Sequence, residues 1–245
     1  MIHGRFISLL RNEEIQLYSL IVIVITILIT INLVHITGTD IEKGFRDSVF
    51  QVVSIITCTG FASADYEQWP GFAKLLIFLT MFIGACVGST GGGIKVARFV
   101  ILLKSLNSIM QKTLSPNKVH VIRYNGQQLD EKILSSTFSF VTIYIITFII
   151  GTIALTMNGL DIDTAGSAVI TTLGGIGPGF GTIGPVENFA SIPVFSKLYL
   201  CFNMIAGRLE ILSFMVVLAL PYHTKTKNPY LYGAWVFHDF WFDIF

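Results

Sequence analysis

Two related glycine-centred stretches, each between a short apolar segment and a long one, constrain this chain most strongly. The first runs from Thr57 to Phe61 (TCTGF) and the second from Gly175 to Gly179 (GIGPG), about 117 residues later. In a membrane, an irregular glycine strand between a short helix and a spanning helix can turn backbone carbonyls inward, where they replace a cation's hydration shell. Two such units predict a cation pore built from repeats, although each stretch also fits an ordinary glycine turn.

Long uncharged runs place the chain in a membrane. Its 245 residues are 53% apolar and only 13% charged, about half the charge of a soluble domain. The run from Ile15 to Val34 is long enough to cross about 30 Å of hydrocarbon as a helix, and it is too long for the core of a signal peptide. The net charge of +1 gives no bulk attraction to nucleic acid, so no nucleic-acid partner is predicted.

The pattern predicts an all-α integral membrane protein with two tandem helix–pore-helix–helix repeats and re-entrant glycine-rich filter loops. The first repeat covers residues 1–106. Its spanning helix is predicted over about 15–35, its short helix over 47–56, and its second spanning segment over 70–106. Asp47 and Ser48 are predicted to cap the short helix.

The second repeat covers residues 131–221 and follows the same plan. A spanning helix is predicted over 131–157, a short helix over 161–172, and a last span over 192–220, with a Gly/Pro-rich turn between the last two. Internal duplication of this kind is a common way to build a pseudo-symmetric pore. No role is predicted for the tail at 222–245.

Basic residues concentrate between the repeats, in and beside a linker at 107–130. They are Lys95, Arg98, Lys104, Lys112, Lys118, Arg123 and Lys132. The excess of lysine and arginine predicts that this side is cytoplasmic, together with both chain termini. The same basic face also suits a docking surface, and the two explanations fit equally well.

The second spanning segment of the first repeat is interrupted by GSTGGG at 88–93. Four glycines in six residues cost a continuous helix about 1 kcal/mol each, and unwound backbone at membrane depth is tolerated only where it lines protein or water. Close packing is the alternative, because Gly84 and Gly88 form a GxxxG motif. A phosphate loop is not supported, because no Gly-Lys-Ser/Thr follows.

Arg208 lies within the last apolar span, where its insertion costs about 2.5–3.5 kcal/mol. We therefore expect it to face a cavity or a partner carboxylate. Glu210 is two residues away, on a different helical face, and is a poor partner within the helix. The alternative is a structural arginine bound to helix-end carbonyls or to Glu210 of a second copy. No nucleophile–base pair is evident, so no enzymatic activity is predicted.

In four motifs the chain resembles the Trk/Ktr/HKT superfamily of potassium transporters, and within it the bacterial TrkH type. The motifs are TCTGF at 57–61, GSTGGGIK at 88–95, GIGPG at 175–179 and AGRLEI at 206–211. The resemblance covers about 15–221 and implies the third and fourth of the family's four repeats. It therefore implies a C-terminal half that forms a homodimer or pairs with the missing repeats.

The resemblance further implies potassium uptake across the cytoplasmic (inner) membrane, among membrane lipids, with K⁺ as the transported ion and no covalently bound cofactor. A TrkA-like cytoplasmic nucleotide-binding subunit is implied to gate the pore. The alternative function is a non-conducting half or regulatory subunit. The implied K⁺ filter consists of Thr57, Cys58, Thr59, Gly60, Gly175, Ile176 and Gly177. The implied gate loop consists of Gly88, Ser89, Thr90, Gly91, Gly92, Gly93 and Lys95, with Arg208 as the pore barrier.

Overall fold

A computed structural model describes residues 11–115 and 121–209. Several predictions lie outside these residues: the end of the last span at 210–220, Lys118, Glu210 and the tail at 222–245. The described residues are mainly helical, with a two-stranded antiparallel hairpin that pairs Arg123 with Gln128. The helices are α1 (Glu13–Thr37), α2 (Ile41–Ile56), α3 (Gly71–Thr80), α4 (Val96–Leu114), α5 (Glu131–Met157), α6 (Ile162–Gly174) and α7 (Val194–Arg208). The strands of the hairpin are β1 (Arg123–Tyr124) and β2 (Gln127–Gln128).

Helices α1 and α5 match the two most apolar predicted spans in position. Within the described ranges, these two helices are long and apolar enough to cross a membrane. Helix α1 begins where the Asn12 side chain accepts a hydrogen bond from the Glu14 N–H, and it ends at Gly38, whose φ of 65° is left-handed. Both helices leave most of their surface outside the core, as lipid-facing helices do.

The predicted start of the first short helix was wrong. Helix α2 begins at Ile41, six residues before Asp47, and Asp40 is its N-cap. Ser48 is buried inside the helix and donates a hydrogen bond to the Gly44 carbonyl at 2.6 Å, so it is not a cap. Gly44 is buried beside α1, where an added Cβ would lie at an ordinary contact distance of 3.7 Å from Val34, so the polar first turns of α2 pack on that helix.

The second predicted span of the first repeat consists of two helices, α3 and α4. They are separated by residues 81–95, a segment we call the break, which is longer than the predicted interruption at 88–93. The Gly84 N–H donates to the Ile94 carbonyl at 2.9 Å, and the Ile94 N–H donates to the Phe82 carbonyl at 3.1 Å. The break therefore folds back on itself and meets part of its backbone hydrogen bonds internally.

Close packing at the predicted GxxxG motif occurs in a different form. A Cβ atom on Gly84 would overlap the carbonyl oxygen of Gly92, which belongs to the same break. This glycine thus allows two backbone strands of one loop to touch. The explanation that Gly84 packs one helix against another through a GxxxG motif is therefore wrong within the described residues.

Helix α6 forms the buried centre of the second half. Every residue from Thr164 to Gly174 is buried. Gly207 of α7 lies against the end of α6, because a Cβ atom there would overlap the Leu173 carbonyl oxygen and lie 2.8 Å from its carbon. Backbone therefore meets backbone where α7 crosses the C-terminal end of α6.

We expect Gly207→Ala to destabilise the protein, because the added methyl group must push the α6 backbone away. Overpacking of this kind costs about 1–3 kcal/mol. Thermal unfolding of the detergent-solubilised chain measures the effect. Gly166→Ala in α6 is the matched control, because its Cβ would meet its nearest neighbour at an ordinary 3.9 Å. An equal loss in both variants would contradict the close contact at Gly207.

Candidate functional site

The first glycine stretch, residues 57–61, forms a loop held to the end of α2 by one serine. The Ser54 carbonyl accepts a hydrogen bond from the Thr59 N–H at 2.9 Å, and the Ser54 hydroxyl donates to the Phe61 carbonyl at 2.6 Å. Within this first loop, Cys58 and Gly60 have left-handed φ angles of 55° and 75°. Ser54 therefore fixes the loop from both sides of Gly60.

The second stretch, residues 175–179, repeats this arrangement at the end of α6. The Thr171 carbonyl accepts from the Ile176 N–H at 2.9 Å, and the Thr171 hydroxyl donates to the Pro178 carbonyl at 3.0 Å. Within this second loop, Gly175 and Gly177 have φ angles of 68° and 115°. Thr171, Gly175 and Gly177 each lie 117 residues after their counterparts Ser54, Cys58 and Gly60. The two loops therefore share the same hydrogen bonds and the same left-handed positions.

The two loops touch directly. A Cβ atom on Gly60 would overlap the carbonyl oxygen of Ile176 and lie 3.2 Å from Pro178 Cδ, so only glycine fits there. Tyr66, which is fully buried, donates its hydroxyl hydrogen to the Gly179 carbonyl at 2.9 Å. The Glu67 carboxylate accepts from the Gly181 N–H at 3.1 Å. Tyr66 and Glu67, which follow the first loop, therefore also hold the end of the second loop and the residues just after it.

At the 117-residue offset, the exposed residues of the two loops do not correspond. Thr57, Thr59, Gly175 and Gly177 are exposed, and Ile176 is buried. The hydroxyl groups of Thr57 and Thr59 share a hydrogen bond of 2.7 Å. A row of backbone and hydroxyl oxygens at an exposed glycine loop can coordinate a monovalent cation.

The break lies against both loops. The Gly92 N–H donates to the Gly174 carbonyl at 2.9 Å, so it satisfies a carbonyl at the C-terminal end of α6. A Cβ on Gly92 would lie 2.6 Å from the carbonyl oxygens of Gly174 and Leu173, and one on Gly91 would lie 2.9 Å from Cys58 Sγ. The glycines predicted from the sequence are therefore needed for these approaches.

Lys95 holds the break in its compact form. Its ammonium donates hydrogen bonds to the Ser89 carbonyl at 2.8 Å, the Ser89 hydroxyl at 3.0 Å and the Gly91 carbonyl at 2.8 Å. The residue is only 8% exposed. A buried ammonium is tolerated when oxygens surround it in this way.

Arg208 reaches the break from the end of α7. Its guanidinium donates a hydrogen bond to the Thr90 carbonyl. A cavity of about 140 Å³ adjoins it, lined by Gly92, Leu173, Gly174, Gly175, Met204 and Arg208. The expectation of a cavity beside Arg208 is met, whereas its partner in the described part is a loop carbonyl and not a carboxylate.

Sequence analysis did not single out the loop anchors Ser54 and Thr171, nor Tyr66 and Glu67. A signal for the anchors exists: a hydroxyl residue stands six positions before Gly60 and six before Gly177. Placing the two loops in register at a 117-residue offset would have found it. The roles of Tyr66 and Glu67 depend on contacts more than 110 residues away and carry no local signal.

The mainly helical fold is of the class found in membrane transporters. Residues 5–227 match the family model described as "TrkH: Cation transport protein". The chain belongs to the TrkH family, as the motif resemblance predicts.

Three known proteins illustrate the relationship. The chain is 36% identical to the Trk system potassium uptake protein TrkI of Halomonas elongata, over 89% of this chain and 44% of the relative. It is 32% identical to TrkH of Escherichia coli K12, over 88% of this chain and 46% of the relative. The crystal structure of the potassium transporter TrkH from Vibrio parahaemolyticus superposes with a TM-score of 0.78 at 30% identity, covering 84% of this chain and 44% of that one. The chain thus spans about half the length of these relatives.

We expect Thr171→Val to weaken the second loop, because the Gly177 N–H and the Pro178 carbonyl would both lose the Thr171 hydroxyl. Both hydrogen bonds are part-buried, and the loss of such a bond costs about 0.5–1.5 kcal/mol. Thermal unfolding of the detergent-solubilised chain tests this. Thr171→Ser keeps the hydroxyl and serves as the control. If valine and serine prove equally stable, the hydroxyl does not anchor the loop.

Proposed function

We propose that the chain takes part in potassium uptake through a pore lined by the two glycine loops. The observation that carries this proposal is the shared loop geometry, in which Ser54 and Thr171 anchor equivalent loops that meet at Gly60. Membership of a family whose relatives are named potassium uptake proteins supports K⁺ as the ion. An inside-negative potential of about 100 mV contributes about 2.3 kcal/mol per ion, so no enzymatic step is needed.

In this proposal the two loops form half of the ion filter. Its residues are Thr57, Cys58, Thr59 and Gly60 in the first loop, and Gly175, Ile176 and Gly177 in the second. One key glycine per loop, Gly60 and Gly177, gives fewer carbonyl rings than the TVGYG strand of potassium channels, so the filter selects K⁺ over Na⁺ less strictly. The C-terminal ends of α2 and α6 point their negative dipole ends toward this region.

The break acts as the gate in the same proposal. Arg208 lies beside the second loop and binds the Thr90 carbonyl, so its positive charge stands next to a cavity that Gly175 also lines. A fixed cation there opposes the passage of K⁺. Movement of the break would shift both the charge and the backbone that fills the path.

The proposed placement follows the charge distribution. The linker side, with the β1–β2 hairpin and α4, faces the cytoplasm across an inner membrane, with both termini on that side. Lipid contacts the exposed aliphatic faces of α1 and α5. A second copy or other repeats complete the pore, and a TrkA-like nucleotide-binding subunit docks on the basic cytoplasmic face.

A non-conducting half that pairs with other transporter repeats is the second candidate. One observation favours it: the chain spans only 44–46% of the length of its relatives. In that case the two described loops contribute only two of four filter segments.

Rubidium uptake into proteoliposomes that contain only this chain, under an inside-negative potential, tests the two candidates. We expect uptake that Gly60→Ala abolishes, because the added methyl group overlaps the Ile176 carbonyl oxygen. Gly71→Ala is the matched control, since a Cβ atom there meets nothing within 4 Å.

The outcome separates conduction from a supporting role. Uptake lost in Gly60→Ala and kept in Gly71→Ala means that copies of the chain assemble a complete pore. Absence of uptake from a folded, inserted chain overturns independent conduction and favours the half-subunit.

We expect Arg208→Ala to speed rubidium uptake, because it removes a fixed positive charge beside the path. Lowering the barrier by about 1.4 kcal/mol raises the rate about tenfold. Arg46→Ala is the control, because Arg46 is an exposed arginine on α2. An uptake rate that Arg208→Ala leaves unchanged would show that the arginine has a structural role only.

A further inference from the structure

Four segments meet at the linker end of the molecule, away from the glycine loops. They are the first turn of α1, the break, helix α4 and the β1–β2 hairpin. The proposed gate includes the break, but the proposed function does not use the contacts that the break makes at this junction. Its centre is a pair of neighbouring carboxylates, Glu13 and Glu14.

Glu14 binds the break directly. Its carboxylate accepts a hydrogen bond from the Val87 N–H at 2.7 Å, and the residue is only 6% exposed. A charged acceptor makes a stronger hydrogen bond than a neutral one. Its position in the first turn of α1 also suits a carboxylate, because the positive end of the helix dipole is there. Glu14 thus fixes one point of the break to a spanning helix.

Glu13 binds the hairpin and α4. Its carboxylate forms an ion pair with Lys104, and its backbone N–H donates to the Asn125 side-chain oxygen at 3.0 Å. Lys104 also donates to the Arg123 carbonyl at 2.7 Å. The first turn of α1 therefore holds the break through Glu14 and the hairpin through Glu13.

The hairpin is built to present these contacts. Asn125 and Gly126 have φ angles of 48° and 84°, which is the Asn-Gly pattern of a tight two-residue turn. Burial, together with the nearby carboxylates of Glu14 and Glu13, raises the pKa of Tyr124 to about 12. The two carboxylates of the junction are therefore close enough to Tyr124 to disfavour its charged form.

We propose that Glu14 is a positioning residue for the break, and that the hairpin controls the break through Glu13 and Glu14. Displacing the hairpin from α1 disturbs the first turn of that helix and releases the Val87 contact. The break then moves more freely. The effect on ion flow rests on the proposed gating function. The coupling between the hairpin and the break does not depend on that function.

The thiol of Cys86 reports on the break without any transport measurement. It is half-buried and directly precedes Val87. The intact chain in proteoliposomes is treated with a soluble maleimide, and peptide mapping by mass spectrometry separates Cys86 from Cys58 and Cys201. The Glu14 carboxylate also acts on the Cys86 thiol through its charge. Opening of the break is therefore measured by the modification rate of Glu14→Ala relative to that of Glu14→Gln, which lacks the charge but keeps an acceptor.

We expect Glu14→Ala to raise the modification rate of Cys86 about tenfold, because the Val87 N–H loses a charged acceptor. Glu14→Gln keeps an oxygen acceptor and should stay within about twofold of the wild type. Glu131→Ala is the matched control, since Glu131 is an exposed first-turn glutamate of α5. An unchanged rate in Glu14→Ala would overturn the positioning role.

The second arm tests the hairpin. Asn125→Gly removes the side chain that binds Glu13 but keeps the left-handed backbone, and Asn125→Asp keeps the oxygen acceptor. We expect glycine to raise the Cys86 rate severalfold and aspartate to leave it unchanged. A faster rate in Glu14→Ala with none in Asn125→Gly would overturn the control by the hairpin.

Rubidium flux through the same vesicles separates this inference from the proposed function. Faster Cys86 modification together with altered flux supports both. Faster modification with unaltered flux supports the coupling and overturns the gating role of the break.

Discussion

The C-terminal end of α6 is the point on which the rest of the site depends. A helix end leaves carbonyls without partners inside the helix, and in a membrane no bulk water is available to bind them. The Gly92 N–H binds the Gly174 carbonyl there, and Gly207 of α7 packs on the Leu173 carbonyl. The second loop begins at the next residue. One helix end therefore positions the loop, the break and the arginine that follows Gly207.

These contacts explain why glycine recurs in segments that do not share one turn type. At Gly92 and Gly207 the requirement is space, because any side chain would overlap a neighbouring carbonyl, and Gly60 needs both space and its φ of 75°. At Gly177 the requirement is a φ of 115°, with open space around the residue. Substitutions at the first group should displace neighbouring segments, whereas a substitution at Gly177 strains its own backbone.

The sequence predicted the long helices well because their apolar runs are uninterrupted, so α1 and α5 match the predicted spans closely. It located the glycines of the break but not the extent of the break. Residues 81–87 are mostly apolar and look helical, yet the Gly84 and Ile94 hydrogen bonds pull them out of the helix. The start of α2 was missed for the opposite reason, since polar residues before Asp47 remain helical against α1.

The candidate site was predictable where it depends on local backbone chemistry and not where it depends on distant partners. Gly60 and Gly177 stand out in the sequence, and Arg208 stands out as a charge in an apolar run. Glu14 does not, because a glutamate near the start of a helix is ordinary. Its contact with Val87 spans 73 residues and exists only once the break has folded back.

The two loops differ at one pair of equivalent positions, and the difference explains where Arg208 lies. Cys58 and Gly175 are 117 residues apart, and both have left-handed φ angles. In the first loop the Cys58 side chain occupies the space beside Gly91. In the second loop the missing side chain of Gly175 leaves open space, and this residue lines the cavity that Arg208 also lines. A side chain at 175 would take up part of that cavity, so the glycine leaves space beside the arginine.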